Sequence, residues 1–279
     1  MLKRLSVYLQ YILPQHALSK IAGKLSESDN IKLKQLLILN FMRRFNVNLQ
    51  EAEIEDPQNF KTFNDFFIRK LKTSARNIDS NTHSIISPVD GTLAQFGKAS
   101  PKKLLQAKNM YYDLDALLGS SELADIFADG EFATLYLAPF NYHRVHMPIA
   151  GQLIKSVYIP GKLFSVNRMT SQIVPQLFTR NERFISLFET KIGHMAVCMV
   201  GAMIVGSMQM KWMQMPIKHK NKILQTYTPP IFLDKGAELG YFKLGSTVIL
   251  LFEKNKINWS PSVQLEQAVQ FGQVLASFS

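Results

Sequence analysis

Three short stretches of the sequence hold the side chains that could do chemistry. SPVDGTL contains Asp90, NYHRVHMP contains His143 and His146, and FKLGSTVILLF contains Ser246 directly after Gly245. A carboxylate, an imidazole and a hydroxyl form a charge relay when the carboxylate orients the imidazole and the imidazole deprotonates the hydroxyl. Asp90, His146 and Ser246 supply that set. Composition alone is weak support, because many unrelated chains contain the same three residue types.

Each stretch also has an ordinary structural interpretation. An isolated Asp-Gly pair is typical of a turn, and Gly245 with Ser246 could form a turn in which the hydroxyl bonds locally. No Gly-x-Ser-x-Gly elbow of the hydrolase kind surrounds Ser246. His143 and His146 would share one face of a helical turn but point to opposite faces of a strand. We expect no metal site there, because no nearby cysteine or carboxylate completes a ligand set.

The elements that must position these residues change in character along the chain. From about residue 84 onward, short apolar runs broken by Gly and Pro predict closely spaced strands, among them SIISPVDGTL, ATLYLAPF, GQLIKSVYIPG, FISLFET, MAVCMVGAMIVGSM and STVILLF. Helices are expected at TFNDFFIRKLK and within YDLDALLGSSELADIF. The sequence thus predicts an α+β fold, with amphipathic N-terminal helices followed by a β-rich core, and it places Ser246 at the start of a buried strand.

The first 45 residues predict two or three short amphipathic helices. Apolar residues recur at helical spacing over residues 2–12, and a second such pattern follows the break at Pro14. Eight basic residues in this segment are balanced only by Glu27 and Asp29. Apolar faces with a positive bias are typical of helices that lie in the headgroup region of an anionic membrane. A helical subdomain packed on the core explains the same pattern equally well.

The composition of the chain limits the kinds of partner and of membrane attachment that we expect. The chain of 279 residues can bury a large core, and its single cysteine, Cys198, excludes an internal disulfide. The net charge of +11 indicates an acidic partner. Nucleic acid is disfavoured, because no motif interleaves aromatic and basic residues outside the amphipathic N-terminus. The apolar stretch 195–205 is shorter than the roughly 20 residues that span a bilayer, and we expect neither a transmembrane helix nor a signal peptide.

Taken in order, the motifs resemble those of phosphatidylserine decarboxylase of the bacterial type. TFNDFFIRKLK, SPVDGTL, NYHRVHMP, GKLFSVN, RNER, VGAMIVGSM and LGST follow the order of that family, and the opening LQYILP matches as well. The likeness runs nearly from end to end, and LGST is its most specific motif. With it we predict a helical membrane-association segment over residues 1–56 and a catalytic domain over residues 57–279.

The resemblance implies an enzyme that cuts itself to make its own cofactor. In this family the serine hydroxyl attacks the preceding carbonyl, an ester forms, and β-elimination leaves a new chain that begins with a covalent pyruvoyl group. Here the cut falls between Gly245 and Ser246, so Ser246 becomes the pyruvoyl group. Gly245 has no side chain to obstruct the attack on its carbonyl. By resemblance, Asp90 and His146 complete the relay.

The resemblance further implies that the cleaved enzyme converts phosphatidylserine to phosphatidylethanolamine and carbon dioxide. Losing carbon dioxide leaves carbanion character at Cα, and a Schiff base between the substrate amine and the pyruvoyl group provides the electron sink. His143 matches the family's first histidine and is the candidate proton donor to that carbon. Its alternative role is to orient the substrate phosphate or carboxylate.

GKLFSVN matches a family motif, and we expect it to line the substrate pocket. Phe164 would pack on the glycerol or acyl region, while Ser165 and Asn167 would hydrogen-bond the phosphate or carboxylate. A glycine turn followed by a buried strand explains the same residues. Tyr142, Arg144 and other residues around the histidines are interpreted mainly as structural support.

The expected location is the cytoplasmic face of the cell membrane, where the protein would bind peripherally to anionic lipid. The resemblance implies a homodimer of cleaved protomers. Two other functions stay open at this point, namely a self-cleaving or hydrolytic Asp-His-Ser enzyme without decarboxylase activity, and a noncatalytic lipid-binding protein. A fragment beginning with pyruvoyl, a fragment beginning with serine, and an uncut chain would distinguish the three.

Overall fold

The computed structural model describes residues 2–99, 101–107, 109–203, 208–213, 221–243 and 246–279. Its α-helices are α1 Leu2–Leu9, α2 Gln15–Ser26, α3 Ile31–Phe45, α4 Phe63–Phe67, α5 Leu114–Leu118, α6 Ser121–Ile126, α7 Arg168–Ser171 and α8 Leu177–Arg180. Short 3₁₀ helices lie at Pro57–Asn59 and Thr73–Ala75. In the described ranges, four of the eight α-helices and both 3₁₀ helices thus precede the first strand, in line with the predicted helical N-terminal part.

The strands begin at residue 84 and continue to the end of the chain. They are β1 Ser84–Ile86, β2 Gly91–Lys98, β3 Lys103–Ala107, β4 Met110–Asp113, β5 Glu131–Leu137, β6 Arg144–His146, β7 Gly151–Ile159, β8 Arg183–Thr190, β9 Gly193–Gly201, β10 Met208–Met210, β11 Ile223–Leu233, β12 Glu238–Phe242, β13 Ser246–Phe252, β14 Asn258–Trp259, β15 Gln267–Val269 and β16 Val274–Ser277. The α+β prediction is confirmed.

An eight-stranded antiparallel sheet carries the candidate nucleophile. Its order is β11-β7-β8-β9-β13-β5-β2-β15, so β13 lies between β9 and β5. Alternate residues of β13 face two separate apolar cores: Val248 and Leu250 face one, and Ile249 and Leu251 face the other. Both faces are covered, which explains why STVILLF is continuously apolar instead of alternating with polar residues.

Smaller sheets hold the histidines and the ends of the chain. The sheet β10-β12-β6 carries Arg144 and His146 on its edge strand β6, while β1-β16-β14 joins the start of the β-rich region to the C-terminus. His143 directly precedes β6. Because β6 pairs with β12, the polypeptide that leads towards Ser246 passes alongside the histidines.

The three N-terminal helices differ in how they pack. In α3, Ile38 is fully buried against an aromatic cluster that includes Phe63, Phe66 and Phe67 of α4. The helix begins at Asn30, whose side chain accepts the N–H of Leu33, a typical N-cap. By contrast, α1 and α2 leave most of their large apolar side chains exposed. No helix in the described ranges is both long enough and apolar enough to cross a membrane.

Several elements differ from the sequence expectations. The interlude after residue 111 splits into α5 and α6 at Gly119, whose φ of +66° a residue with a side chain rarely adopts. TFNDFFIRKLK is helical only over Phe63–Phe67. The β3–β4 hairpin, β11 and the C-terminal strands were not predicted. Strand β11, for example, is mostly exposed and contains a Pro-Pro pair, so it lacks the continuous buried run on which the strand prediction rests.

Candidate active site

Ser246 is the first residue of β13 and is paired on both sides. Its ladder partners are Leu137 at the end of β5 and Gly201 at the end of β9. The side chain is fully buried, and its Oγ has no hydrogen-bond partner in the part of the chain that the structure describes. An unpaired buried hydroxyl costs about 1–3 kcal/mol. Gly245, the other half of the predicted cleavage site, lies outside the described residues.

Asp90 lies in the bend that directly precedes β2. Its Oδ2 accepts Nη2 of Arg76 at 2.6 Å, and its Oδ1 accepts Nε of Arg76 at 3.0 Å and the N–H of Phe271 at 2.9 Å. Arg76 also donates to Glu51 at 2.8 Å. Burial opposes the charge of Arg76, but the hydrogen bonds and charges of Asp90 and Glu51 outweigh burial and raise the guanidinium pKa. Arg76 therefore fixes the position of the Asp90 side chain through contacts to both of its oxygens.

His146 is buried and has a partner on each ring nitrogen. Nδ1 lies 2.8 Å from the carbonyl oxygen of Gly236, and Nε2 lies 2.9 Å from the hydroxyl of Tyr142. A carbonyl can only accept, so Nδ1 carries the proton and Nε2 accepts from the tyrosine. Burial lowers the pKa of His146, although the Gly236 carbonyl opposes this effect. The ring is therefore neutral at pH 7, and the lone pair of its unprotonated nitrogen, Nε2, accepts the Tyr142 hydroxyl.

Asp90 and His146 meet at one residue, Phe271. The Phe271 N–H donates to Asp90, and its ring stacks on the His146 imidazole with centroids 3.8 Å apart and planes 17° apart. Within the described ranges, however, no hydrogen bond joins Asp90 to His146 or either of them to Ser246. The structure brings the first two residues of the predicted relay together, but it leaves the hydroxyl unconnected.

His143 is the most enclosed titratable group of the site. It is fully buried, its ring stacks on Phe67 at 4.1 Å, and neither ring nitrogen has a hydrogen-bond partner among the described residues. Burial, reinforced by the charge of Arg69, lowers the pKa of His143 to about 3, despite the opposing effect of the Pro139 and Ala138 carbonyls. The imidazole is therefore neutral at physiological pH.

His143 also lies beside the strand end that holds Ser246. The carbonyls that act on its ring follow Leu137, the ladder partner of Ser246. Its own carbonyl accepts the N–H of Phe242 at 3.1 Å, four residues before Ser246. By these contacts, His143 has closer structural links to Ser246 than His146 has.

The segment around α4 fixes the histidine-bearing turn, a role that the sequence did not indicate. Nη2 of Arg69 donates to the Phe140 carbonyl at 2.9 Å, and Nε of Arg144 donates to the Ile68 carbonyl at 2.9 Å. Arg144 is itself held by an ion pair in which its Nη1 donates to both carboxylate oxygens of Glu238, at 2.8 and 2.9 Å. The only available signal was the FFIRK motif itself, because its partners lie about 70 residues away in the sequence.

A cavity of about 280 Å³ opens beside Asp90 and Arg76. Its walls include Glu51, Arg69 and Tyr142. The cavity therefore provides space next to the Asp90 side chain, with Arg76 and Tyr142 both on its wall. No group of three or more His, Cys, Asp or Glu side chains in the described ranges could hold a metal ion.

The GKLFSVN segment uses its polar groups within the chain. Phe164 is buried, with its ring 4.9 Å from that of Tyr11. The Ser165 hydroxyl lies 2.9 Å from that of Thr170, and Asn167 Oδ1 accepts the Thr170 N–H at 3.0 Å as the N-cap of α7. Substrate binding by Phe164, Ser165 and Asn167 stays a prediction.

The alternative expectation of a buried strand after Gly161 is wrong. Residues 161–167, all described, contain only one isolated β-bridge, between Lys162 and Asn181. The physical reason is that side-chain amides, and not a neighbouring strand, bind the backbone N–H groups of residues 163–165.

Comparison with known proteins identifies the family. A sequence model described as phosphatidylserine decarboxylase matches residues 63–277, and a second, described as PSD, matches residues 5–46. Similar proteins come from Bordetella avium (strain 197N), with 45% identity over 96% of this chain and 92% of the relative, and from Legionella pneumophila subsp. pneumophila (strain Philadelphia 1), with 45% identity over 96% and 95%. A third, from Marinobacter nauticus, is 44% identical over 100% of this chain and 99% of the relative.

All three relatives are named phosphatidylserine decarboxylase proenzyme. The chain belongs to the phosphatidylserine decarboxylase family, as the motifs predicted. It is therefore a decarboxylase, that is, a carboxy-lyase.

Proposed function

We propose that this chain is a phosphatidylserine decarboxylase that is made as a precursor and cuts itself between Gly245 and Ser246. The serine hydroxyl attacks the Gly245 carbonyl to form an ester, and elimination releases the Gly245 carboxylate and leaves dehydroalanine. Water then replaces the nitrogen of that residue, so that ammonia is released and a pyruvoyl group stands in place of the serine. The observation that carries the proposal is the Ser246 hydroxyl, which is buried and has no partner in the described structure. A buried hydroxyl without a partner is costly, and this one belongs to the residue that directly follows the expected cleavage point. The residues around it therefore fit a reactive serine and the group formed from it.

The fold supports retention of the new chain end after the cut. Strand β13 stays paired with β5 on one side and β9 on the other, and its apolar side chains fill both cores. Further along the same fragment, β15 pairs with β2 and β16 pairs with β1. The fragment 246–279 is therefore fixed to the rest of the protein without the peptide bond that precedes it.

A pyruvoyl carbonyl supplies the electron sink that loss of carbon dioxide from an amino acid headgroup requires. Around it, this chain excludes water, because Ser246 and Thr247 are both fully buried. His143 is the proposed proton carrier. Its ring is neutral, so one ring nitrogen holds a proton and the other accepts, and neither nitrogen is engaged within the described ranges.

For the cut itself, we assign Asp90 and His146 as the supporting relay. Nε2 of His146 is the unprotonated nitrogen and is the atom able to take the Ser246 proton. That nitrogen accepts from Tyr142 in the structure, so the relay assembles only when His146 exchanges the tyrosine hydroxyl for the serine. Asp90, fixed by Arg76, supplies negative charge behind Phe271.

The surface of α1 and α2 supports peripheral binding to an anionic membrane. Nineteen large apolar side chains are exposed in the described structure, and nine of them lie between residues 5 and 25, in α1, α2 and the turn between them. An apolar surface of this kind, with a basic excess in the same segment, matches the chemistry of a lipid interface. The cytoplasmic face, the homodimer and the division at residue 56 are kept as predictions.

Intact mass measurement of freshly purified protein tests the proposal. We expect two fragments, 1–245 and 246–279, with a pyruvoyl group instead of an amine at the start of the smaller one. The same preparation should release carbon dioxide from phosphatidylserine. An uncut chain that still decarboxylates phosphatidylserine would contradict the cleavage chemistry. A smaller fragment that begins with serine would favour a simple hydrolytic cut.

A further inference from the structure

Residues 163–165 form an extended segment whose backbone is held by side-chain amides. On one side, Oε1 of Gln15 accepts the N–H of Leu163 at 2.6 Å, and Oε1 of Gln10 accepts the N–H of Ser165 at 2.9 Å. Nε2 of Gln15 also donates to the Gln10 carbonyl at 2.6 Å, which joins the two glutamines. Gln15 and Gln10 are buried, at 5% and 6% exposure, although α1 and α2, which flank the turn between them, are largely exposed.

A third amide, that of Asn181, binds the opposite side of the segment. Its Oδ1 accepts the Phe164 N–H at 3.1 Å, and its Nδ2 donates to the carbonyls of Phe164 at 2.7 Å and Gly201 at 2.8 Å. Gly201 is the β9 residue paired with Ser246. Asn181 is fully buried and belongs to the RNER motif, for which the sequence suggested no role.

The outer end of this chain of contacts lies at the turn between α1 and α2. Ile12 is 80% exposed there, and the neighbouring Tyr11 and Leu13 are also exposed. A cavity of about 190 Å³ lies between this turn and Phe164, with Lys162 on its wall. One side of the turn thus faces outwards with apolar side chains, while its glutamines reach inwards to the 163–165 backbone.

We propose that Gln10, Gln15 and Asn181 are positioning residues that transmit docking of the α1–α2 turn on a lipid surface to segment 163–165 and onward to the Gly201–Ser246 pair. The proposal rests on the function proposed above. The segment has no strand partner, so these amides fix its backbone. Docking restrains the turn, and the restrained turn orders the segment that lies between the lipid surface and Ser246.

Hydrogen–deuterium exchange tests the coupling without reference to activity. In the wild-type chain, vesicles of phosphatidylglycerol should slow exchange both in α1–α2 and in residues 161–167. In the double variant Gln10→Met with Gln15→Met, the vesicles should still protect α1–α2 but should no longer protect residues 161–167. The single variant Gln10→Glu keeps an acceptor oxygen for the Ser165 N–H. In it, the vesicles should protect residues 161–167 nearly as well as in the wild-type chain.

Gln106→Met is the matched control. Gln106 is also a buried glutamine, and it binds the backbone of Ser171, Val174 and Leu177, outside the proposed chain of contacts. Its loss should lower the melting temperature while leaving the vesicle response of residues 161–167 intact. This comparison separates coupling from a general loss of stability.

Kinetics provide the second readout. With phosphatidylserine in vesicles, the double variant should show an apparent KM raised about tenfold, as expected from losing two hydrogen bonds to backbone N–H groups. With a dispersed short-chain phosphatidylserine, its kcat should stay within about twofold of wild type, because that substrate does not arrive through a docked surface. Asn181→Asp loses the two bonds that the amide donates to the carbonyls of Phe164 and Gly201. It should interrupt the coupling between segment 163–165 and the Gly201–Ser246 pair.

Two results would overturn the coupling. One is equal vesicle protection of residues 161–167 in the wild-type and double-variant chains. The other is an equal activity loss on both forms of substrate that Gln106→Met reproduces. If the wild-type chain released no carbon dioxide at all, the proposed function would fail instead, and the exchange measurement would still decide the coupling.

Discussion

The hydroxyl of Tyr142 lies 2.9 Å from Nε2 of His146 and occupies the lone pair that the proposed relay assigns to Ser246. Burial raises the pKa of Tyr142, so the phenol stays protonated and donates to the imidazole. The tyrosine therefore competes with the serine for the same nitrogen. In the arrangement described here, His146 is prepared as a neutral base but is not yet engaged with its substrate hydroxyl.

Tyr142→Phe should release that competition. The variant loses one hydrogen bond, worth about 1 kcal/mol, and keeps the ring that packs beside His146. We expect self-cleavage several times faster than in wild type, followed as the fraction of cut chain on denaturing gels after synthesis in vitro. An uncut Tyr142→Phe chain would show that the phenol itself takes part in proton transfer.

Ser246→Ala should remain a single chain and release no carbon dioxide, because neither attack nor elimination is possible without the hydroxyl. Thr247→Val is the matched variant, since the Thr247 hydroxyl is also buried and has no partner among the described residues. Removing it should leave cleavage intact and stabilise the protein by about 1 kcal/mol. Mass spectrometry and denaturant unfolding check the two expectations. Loss of cleavage in Thr247→Val would mean that the cut needs both hydroxyls.

How far the sequence predicts this site depends on how local each contact is. The buried strand that begins at Ser246 was predictable, because STVILLF encodes burial on both faces. The links from Asp90 to Arg76 and from His146 to Gly236 were not, since each partner is a separate loop residue that is brought close only by the fold. The expected strand after Gly161 was wrong for the same reason, because the side chains that bind its backbone come from other parts of the sequence, namely Gln10, Gln15 and Asn181.

The buried histidines predict a loss of stability in mild acid. Burial lowers the pKa of His143 to about 3 and also lowers that of His146, whereas an unfolded histidine titrates near about 6.5. Below that pH, the unfolded chain binds protons that the folded chain does not. The free energy of unfolding should therefore be fully retained above about pH 6.5 and should decline progressively towards about pH 3.

His143→Leu should make that decline shallower, because one of the groups responsible is gone. Urea titrations of both proteins at a series of pH values between about 7 and 4 give the comparison, and it does not depend on their absolute stabilities. Parallel curves would mean that the folded protein protonates His143 as readily as the unfolded chain does.

Membrane binding should depend on the exposed turn between α1 and α2. Ile12→Glu places a charge on the most exposed large apolar side chain, and we expect binding to anionic vesicles to weaken about tenfold. Leu224→Glu makes the same change on β11, where the side chain is 53% exposed, and should leave binding unchanged. Cosedimentation with vesicles measures both. Equal effects of the two substitutions would place the membrane surface elsewhere.

The two histidines should give opposite results in the cleavage assay. If His146 is the base, His146→Ala should preserve the full-length chain, and Asp90→Ala should do the same through loss of the supporting carboxylate. If His143 instead delivers a proton during decarboxylation, His143→Ala should cut itself normally and carry the pyruvoyl group, yet turn over slowly.

This assignment can be tested directly, because the His143 carbonyl binds the N–H of Phe242, four residues before Ser246. Each variant is analysed by denaturing gel and intact mass, then supplied with phosphatidylserine while carbon dioxide release is followed. A second substitution, His143→Gln, controls for misfolding, since it keeps a polar side chain in the pocket against Phe67. An uncut His143→Ala chain beside a normally cut His146→Ala chain would reverse the two roles and make His143 the base for cleavage.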